Sequence, residues 1–214
     1  MLEAEHTFGN YYNPGLTVVM MVVVLPEIPV EVSANRLAAK ADLPVEETAG
    51  FLRKARAILR PAGIFDEVDP TEVLGRTETG WGPTVIIGLC TLGLEASGSI
   101  RKSSGRPDLW GSFSRIALKD TLDYLEYRVR LFLRPTGRDP GDRLIPGCQE
   151  LPLEANRMIW DHFKPDKALG FQLQPSGEID NRAGFAFLYT TAERAENEPS
   201  RCDNCSRKDC PAKL

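Results

Sequence analysis

Residues 113–133 carry a long one-sided helical pattern. Leu118, Leu122, Leu125, Val129 and Phe132 recur at helical spacing as one apolar stripe, while Lys119, Asp120, Asp123, Glu126 and Arg130 fall mostly elsewhere. Arg134-Pro135-Thr136-Gly137 ends the pattern, because proline disfavours helix in the residue before it and glycine accepts the backbone of a C-terminal cap. Such a helix must bury one side and leave the other in water, so it needs a sheet or further helices to pack on.

The remaining segments supply both. Residues 16–25 (LTVVMMVVVL), bounded by Pro14-Gly15 and Pro26, and residues 84–90 (TVIIGLC) read as buried strands. Residues 169–173 and 185–191 read as two strands joined by a Gly/Asp/Asn turn at 176–181. Residues 32–41 suggest a short helix. Residues 45–59 suggest a second, with Asp42 placed to cap it, Pro44 near its first turn and Arg60-Pro61-Ala62-Gly63 stopping it. Residues 153–163 form an amphipathic helix pattern, while 67–83 and 98–111 read as loops. Strands and helices interleave irregularly, which predicts an α+β fold: a twisted, mixed or largely antiparallel sheet with surrounding helices. The fold is expected over residues 1–191, with 1–15 a loose lead-in, and 192–214 form a charged, cysteine-rich tail with too few apolar residues to fold alone.

Composition excludes several functions. With 42% hydrophobic and 26% charged residues, wholesale disorder and fibrous structure do not fit. The formal charge is −4, from 26 Lys+Arg against 30 Asp+Glu, and no basic block exists to grip nucleic acid. The longest apolar run has ten residues, too short to cross a bilayer, and it lacks the flanks of an export signal. The expected setting is a reducing cytoplasm without a membrane partner. His6 and His162 are the only histidines, so neither histidine-rich metal binding nor a Ser-His-Asp arrangement can be inferred. His162, beside Trp160 and Phe163, reads as a packed or solvent-edge residue. Asp120, Asp123 and Glu126 read as a solvated helix face.

Two segments carry chemistry. The first is Arg143-Leu144-Ile145-Pro146-Gly147-Cys148, where a Pro-Gly pair turns the chain sharply and an arginine upstream offers a planar donor fork to a carboxylate or phosphate. The second is the tail. Of five cysteines, Cys202, Cys205 and Cys210 lie in the last thirteen residues, and the odd total argues against a secreted disulfide framework. Two thiolates separated by two residues can hold one metal ion or cluster, and Cys210-Pro211 is a frequent ending of ferredoxin-like runs. Cys148 is the candidate fourth ligand and Cys90 the reserve. Ligand softness and spacing put an iron–sulfur cluster ahead of zinc, with a tail of free thiols or a structural zinc knot as the competing readings.

The first segment resembles the Arg-x-x-Pro-Gly-Tyr motif of the activation (reactivation) domain of cobalamin-dependent methionine synthase. Residues 85–95 (VIIGLCTLGLE) resemble the strand-to-helix region of stand-alone members, residues 116–133 their long helix, and residues 151–173 the segment after the motif. The resemblance spans about residues 25–191. It implies a largely antiparallel sheet that binds S-adenosylmethionine in a shallow groove and presents it to oxidised cobalamin. An external electron donor, such as a flavodoxin or ferredoxin, reduces the cobalt as the methyl group is transferred.

Carried over, Arg143 holds the methionine carboxylate, Pro146 and Gly147 supply backbone contacts, and Tyr189 sits near a second aromatic contact strand. Cys148 stands in the cofactor groove where the family has tyrosine. The chain has no room for the synthase's other modules, so the corrinoid is expected on a partner protein, with this chain accessory to its methyltransferase. The alternative is a non-catalytic module of the same fold, with a structural metal site, docking a corrinoid protein.

Overall fold

A strand buried on both faces is apolar at successive rather than alternate positions, and residues 85–90 show that pattern. Val85–Thr91 forms β3, and each of its residues is buried. It is the middle strand of a five-stranded sheet in a computed structural model that describes residues 22–78, 80–102, 109–147, 151–165, 173, 174, 177, 179 and 183–193. β2 (Ala62–Val68) and β5 (Gly184–Glu193) flank it. β1 (Val23–Leu25) and β4 (Arg138–Leu144) form the edges, giving the order β1-β2-β3-β5-β4. Every neighbouring pair is antiparallel. With α1 (Ala34–Ala41), α2 (Val45–Ile58), α3 (Pro70–Leu74), α4 (Leu94–Lys102), α5 (Leu109–Leu133) and α6 (Ala155–Phe163), the fold is α+β with an antiparallel sheet, as the sequence pattern predicts.

Side-chain alternation along the strands builds two cores. On one face Phe65, Ile86, Cys90, Phe187 and Tyr189 lie in the same cluster as Leu118, Leu122, Leu125 and Val129, so the apolar stripe of α5 closes that side together with α1 and α2. Phe132 extends the stripe, its ring meeting Phe65 edge-on at 5.7 Å. On the other face Ile64, Ile87, Leu89 and Leu188 meet Leu74 of α3 and Leu151, Ala155 and Ile159 at α6. His162 Nε2 lies 2.9 Å from Asp66 Oδ2 with both side chains nearly inaccessible, tying α6 to β2 and making His162 a packed residue. Across one end of the sheet, Arg138 of β4 hydrogen-bonds Glu67 of β2, and Thr84 donates to the same carboxylate. Burial alone would raise the Glu67 pKa, but the hydrogen bonds from Arg138 and Thr84 more than offset it and hold the group below its ordinary value.

Several local expectations change. Asp42 does not cap the start of α2. It ends α1 in the left-handed region (φ 54°), its N–H bonded to Ala38 O, and Pro44 occupies the N-cap position of α2 without a side-chain bond. The two helices are too closely joined for Asp42 to serve the second, and aspartate tolerates the left-handed backbone that the joint requires. The stretch read as a loop at 67–83 contains the end of β2 and all of α3, which Asp69 caps and Gly75 terminates. Pro70 there is no breaker, because the first turn of a helix has no intrahelical use for its N–H.

The loop read at 98–111 gives way to α4 as far as Lys102, and α5 begins at Leu109. β4 is unforeseen because its sequence, RDPGDRL, is polar with an internal Pro-Gly, a composition tolerated only at an edge. Of the run at 16–25, Val23–Leu25 is strand and 16–21 lie outside the described residues. Of the strand read at 169–173 only Leu173 is described, where it makes one isolated antiparallel bridge to Ile179; 169–172 and most of the turn read at 176–181 lie outside the described residues, and β5 pairs with β3 and β4. No helix among the described residues is long and apolar enough to cross a membrane.

Gly88, at the middle of β3, tests how tightly this sheet is packed. A Cβ added there would lie 2.3 Å from Phe187 Cζ and 2.7 Å from Ile64 O. Gly88→Ala is therefore expected to lower stability by about 1–3 kcal/mol, read as a lower urea midpoint at unchanged slope. An unchanged midpoint would show that the Phe187 ring yields freely.

Candidate functional site

The site begins with an irregularity in the edge strand. Pro140 is opposite Thr191 and Arg143 is opposite Tyr189, so Gly141 and Asp142 together face the single residue Thr190. This is a β-bulge, one extra residue on the edge strand. Asp142 N–H donates to Thr190 Oγ1 at 2.9 Å, which satisfies a group the interrupted ladder would otherwise leave unpaired. Gly141 lies against the same hydroxyl: a Cβ there would stand 2.4 Å from Thr190 Oγ1.

The bulge decides which side chain enters the site. Residues directly opposite in an antiparallel pair share a face, and a one-residue slip moves every side chain to the other face. With the extra residue, Arg143 shares the α5 face with Tyr189. Without it, Asp142 would stand opposite Tyr189, and a carboxylate would replace a guanidinium.

Four charged groups interleave where α5 meets β4. Arg130 Nη1 lies 3.2 Å from Asp139 Oδ1, Arg130 Nη2 lies 3.5 Å from Glu126 Oε1, and Arg143 Nη1 lies 4.0 Å from Glu126 Oε2. Pairs this exposed contribute roughly 0–1 kcal/mol each, so they orient side chains more than they stabilise the fold. Beneath them Tyr189 is buried, its hydroxyl without a hydrogen-bond partner of normal geometry among the described residues. Burial pushes its pKa up to about 12. The Glu126 carboxylate adds to the rise, and the Arg143 guanidinium opposes it. Cys90 on β3 is wholly buried, and that burial raises its thiol to about 12 against the pull of the Phe185 backbone and Arg143.

Both groups are therefore protonated at neutral pH, and Cys90 is a core residue rather than a nucleophile. The arrangement can bind and orient an anionic group through Arg143, which is 36% exposed.

Beyond β4 the chain turns through Pro146, which is buried, and Gly147, which is exposed at φ 83°. The Gly147 N–H donates to Leu151 O at 2.9 Å, fastening the turn to the segment that leads into α6. Its N–H is thus committed within the protein. Arg143 and Tyr189, singled out from sequence, are brought face to face, with the Pro146-Gly147 turn a few residues along the chain from Arg143. Glu126, which the sequence assigns to a solvated face, belongs to this cluster, and its i, i+4 spacing to Arg130 beside the apolar stripe is the signal that marks it. Asp139, Gly141 and Thr190 carried no sequence signal, because the bulge that gives them their places depends on pairing. Cys148, Cys202, Cys205 and Cys210 lie outside the described residues. Among the described residues no three His, Cys, Asp or Glu side chains gather in a way that could hold a metal ion.

No family model matches the chain, and no curated protein matches it. Among solved structures it is similar to the crystal structure of the MetH reactivation domain bound to AdoHcy. The sequence identity is 16% and the TM-score 0.47, over 78% of this chain and 67% of that one. At that level the likeness assigns no residue of this chain a role.

The bulge makes a direct prediction. Thr190→Val removes the acceptor of the Asp142 N–H, and Gly141→Ala crowds the same hydroxyl. Each is expected to lower stability by about 1–3 kcal/mol and to weaken the cross-strand backbone NOE contacts between Arg143 and Tyr189. Variants that keep both the urea midpoint and those contacts would show that the bulge is held by something else.

Proposed function

We propose that this chain is a stand-alone protein of the methionine synthase activation-domain type, which binds S-adenosylmethionine and assists the reductive reactivation or methylation of a corrinoid protein in trans. The observation that carries the proposal is the Arg143–Tyr189 pairing at the bulged edge strand, immediately before the Pro146-Gly147 turn of the resembling motif. The residues suit the ligand: an exposed guanidinium for a carboxylate, a buried neutral phenol beneath it, and a turn set by a left-handed glycine. In this reading Arg143 takes the methionine carboxylate, Pro146 and Gly147 border it with backbone, and Tyr189 supports the guanidinium from below as a neutral phenol. Cys148 occupies the place of the family's tyrosine. Bound S-adenosylmethionine supplies an activated methyl group on a sulfonium. This chain's own part is to hold and orient the amino-acid end.

The proposal extends to the tail. Cys202, Cys205 and Cys210, with Cys148 as fourth thiolate, suit an iron–sulfur cluster or zinc. A cluster would give a flavodoxin- or ferredoxin-type donor a place to deliver electrons. The setting proposed is the cytoplasm, with residues 1–191 as the ligand-binding unit and 192–214 as the metal-binding tail.

The test is anaerobic purification of the full chain, followed by its visible spectrum, metal analysis and calorimetric titration with S-adenosylmethionine. Binding is expected, and Arg143→Met should weaken it by about 10–100-fold, the range for a hydrogen-bonded charged group. Iron with a visible charge-transfer band, or zinc, is expected in the wild type and lost in Cys202→Ser/Cys205→Ser. A colourless, metal-free protein that does not bind the ligand contradicts both claims. Metal without ligand binding would favour the non-catalytic docking module.

A further inference from the structure

We infer that the outward face of α2 is a self-complementary surface on which a second copy of this chain docks, the two helices running antiparallel about a two-fold axis at Gly50. α2 buries Thr48, Leu52 and Ala55. Its opposite face carries Glu46, Glu47, Gly50, Arg53, Lys54 and Ala57, which share one side by their three- and four-residue spacing and are all exposed. Along the helix the order is acidic, small, basic. Among the described residues none of the four charged side chains makes an ion pair or a hydrogen bond. Exposed charges on other helices do pair: Lys119 with Asp123 on α5 and Arg157 with Asp161 on α6, each four residues apart. On this face of α2 the opposite charges stand six residues apart or more, about 9 Å or further along the axis, so they cannot meet within one helix.

Gly50 points the same way. A glycine inside a helix costs stability relative to alanine. Gly50 has no positive φ, and a Cβ built on it would meet nothing within 4 Å. Neither its backbone nor packing within the chain calls for glycine, whereas the close approach of a second backbone does. A two-fold axis at Gly50 answers both features. It sets Glu46 beside Arg53 of the partner subunit and Glu47 beside Lys54 of the partner subunit, and symmetry repeats each pairing. A parallel pair in register would set like charges together. The face offers little to a membrane, since it lacks large apolar residues, and little to nucleic acid, since its acidic half repels phosphate. One helix face is small beside a stable interface, so the dimer is weak and its charges set direction and register.

The experiment is sedimentation velocity on the full chain, with a thiol reductant present, at concentrations up to about 1 mM, the range of weak association. Wild type should dimerise at the upper end, and added salt should weaken the dimer. Glu46→Lys/Glu47→Lys and Arg53→Glu/Lys54→Glu should each self-associate about tenfold or more weakly, because like charges then face each other. An equimolar mixture of these two variants should associate again. Gly50→Gln is the better helix former, so it should raise the urea midpoint while weakening the dimer about tenfold or more by holding the backbones apart. A wild type that stays monomeric throughout overturns the inference, as does a dimer that salt leaves unchanged. So does a Gly50→Gln protein that dimerises like wild type, or a pair of reversal variants that keep the wild-type circular dichroism spectrum yet remain apart when mixed.

Discussion

The burial of one helix stripe against one sheet face governs the rest of this molecule. Leu118, Leu122, Leu125 and Val129 of α5 reach the sheet because β3 has no polar side and because Gly88 leaves room for the Phe187 ring. That contact fixes the height and direction of α5 over β2, β3 and β5. With those fixed, the flank of α5 meets the edge strand β4 along a line where neither surface is apolar. The charged groups meet there because the helix is wider than its apolar stripe. Glu126 and Arg130 lie beside the stripe, so packing that buries Leu122 and Val129 brings them against Asp139 and Arg143.

The edge position of β4 then supplies what a central strand could not. A central strand needs every backbone group in its ladder, whereas an edge strand tolerates proline, glycine and an added residue. β4 uses all three: Pro140, Gly141 and the two-for-one step opposite Thr190. The result is local and chemical. An arginine rather than an aspartate faces a buried tyrosine, and the chain leaves the sheet directly into the Pro146-Gly147 turn. The rim is thus bounded by α5 and β4 on one side and by the Pro146-Gly147 turn on the other.

How much of this is legible in sequence follows from what each element depends on. α5 announces itself because its periodicity, its Arg134-Pro135-Thr136-Gly137 stop and its length are all local. β3 is equally plain, since double-sided burial writes an unbroken apolar run. β2 is hidden behind Arg60-Pro61-Ala62-Gly63, residues that stop α2 and also open a strand, a double use that local rules assign to a loop. β4 is hidden because pairing with β5, rather than propensity, makes it a strand. At the site the motif around Arg143 is visible, and its partner Tyr189 emerges from resemblance. The bulge that puts the two on one face, and the recruitment of Glu126, depend on register and helix placement, which no local window contains.

In the proposed function the bulged edge strand presents Arg143, over Tyr189, to an amino-acid carboxylate. A crystal structure of the full chain grown with S-adenosylmethionine decides whether it does so. The methionine carboxylate is expected within hydrogen-bond distance of the Arg143 guanidinium, with the Pro146-Gly147 turn beside it. Ligand density elsewhere on the protein, or at this rim with the carboxylate turned away from Arg143, would contradict it.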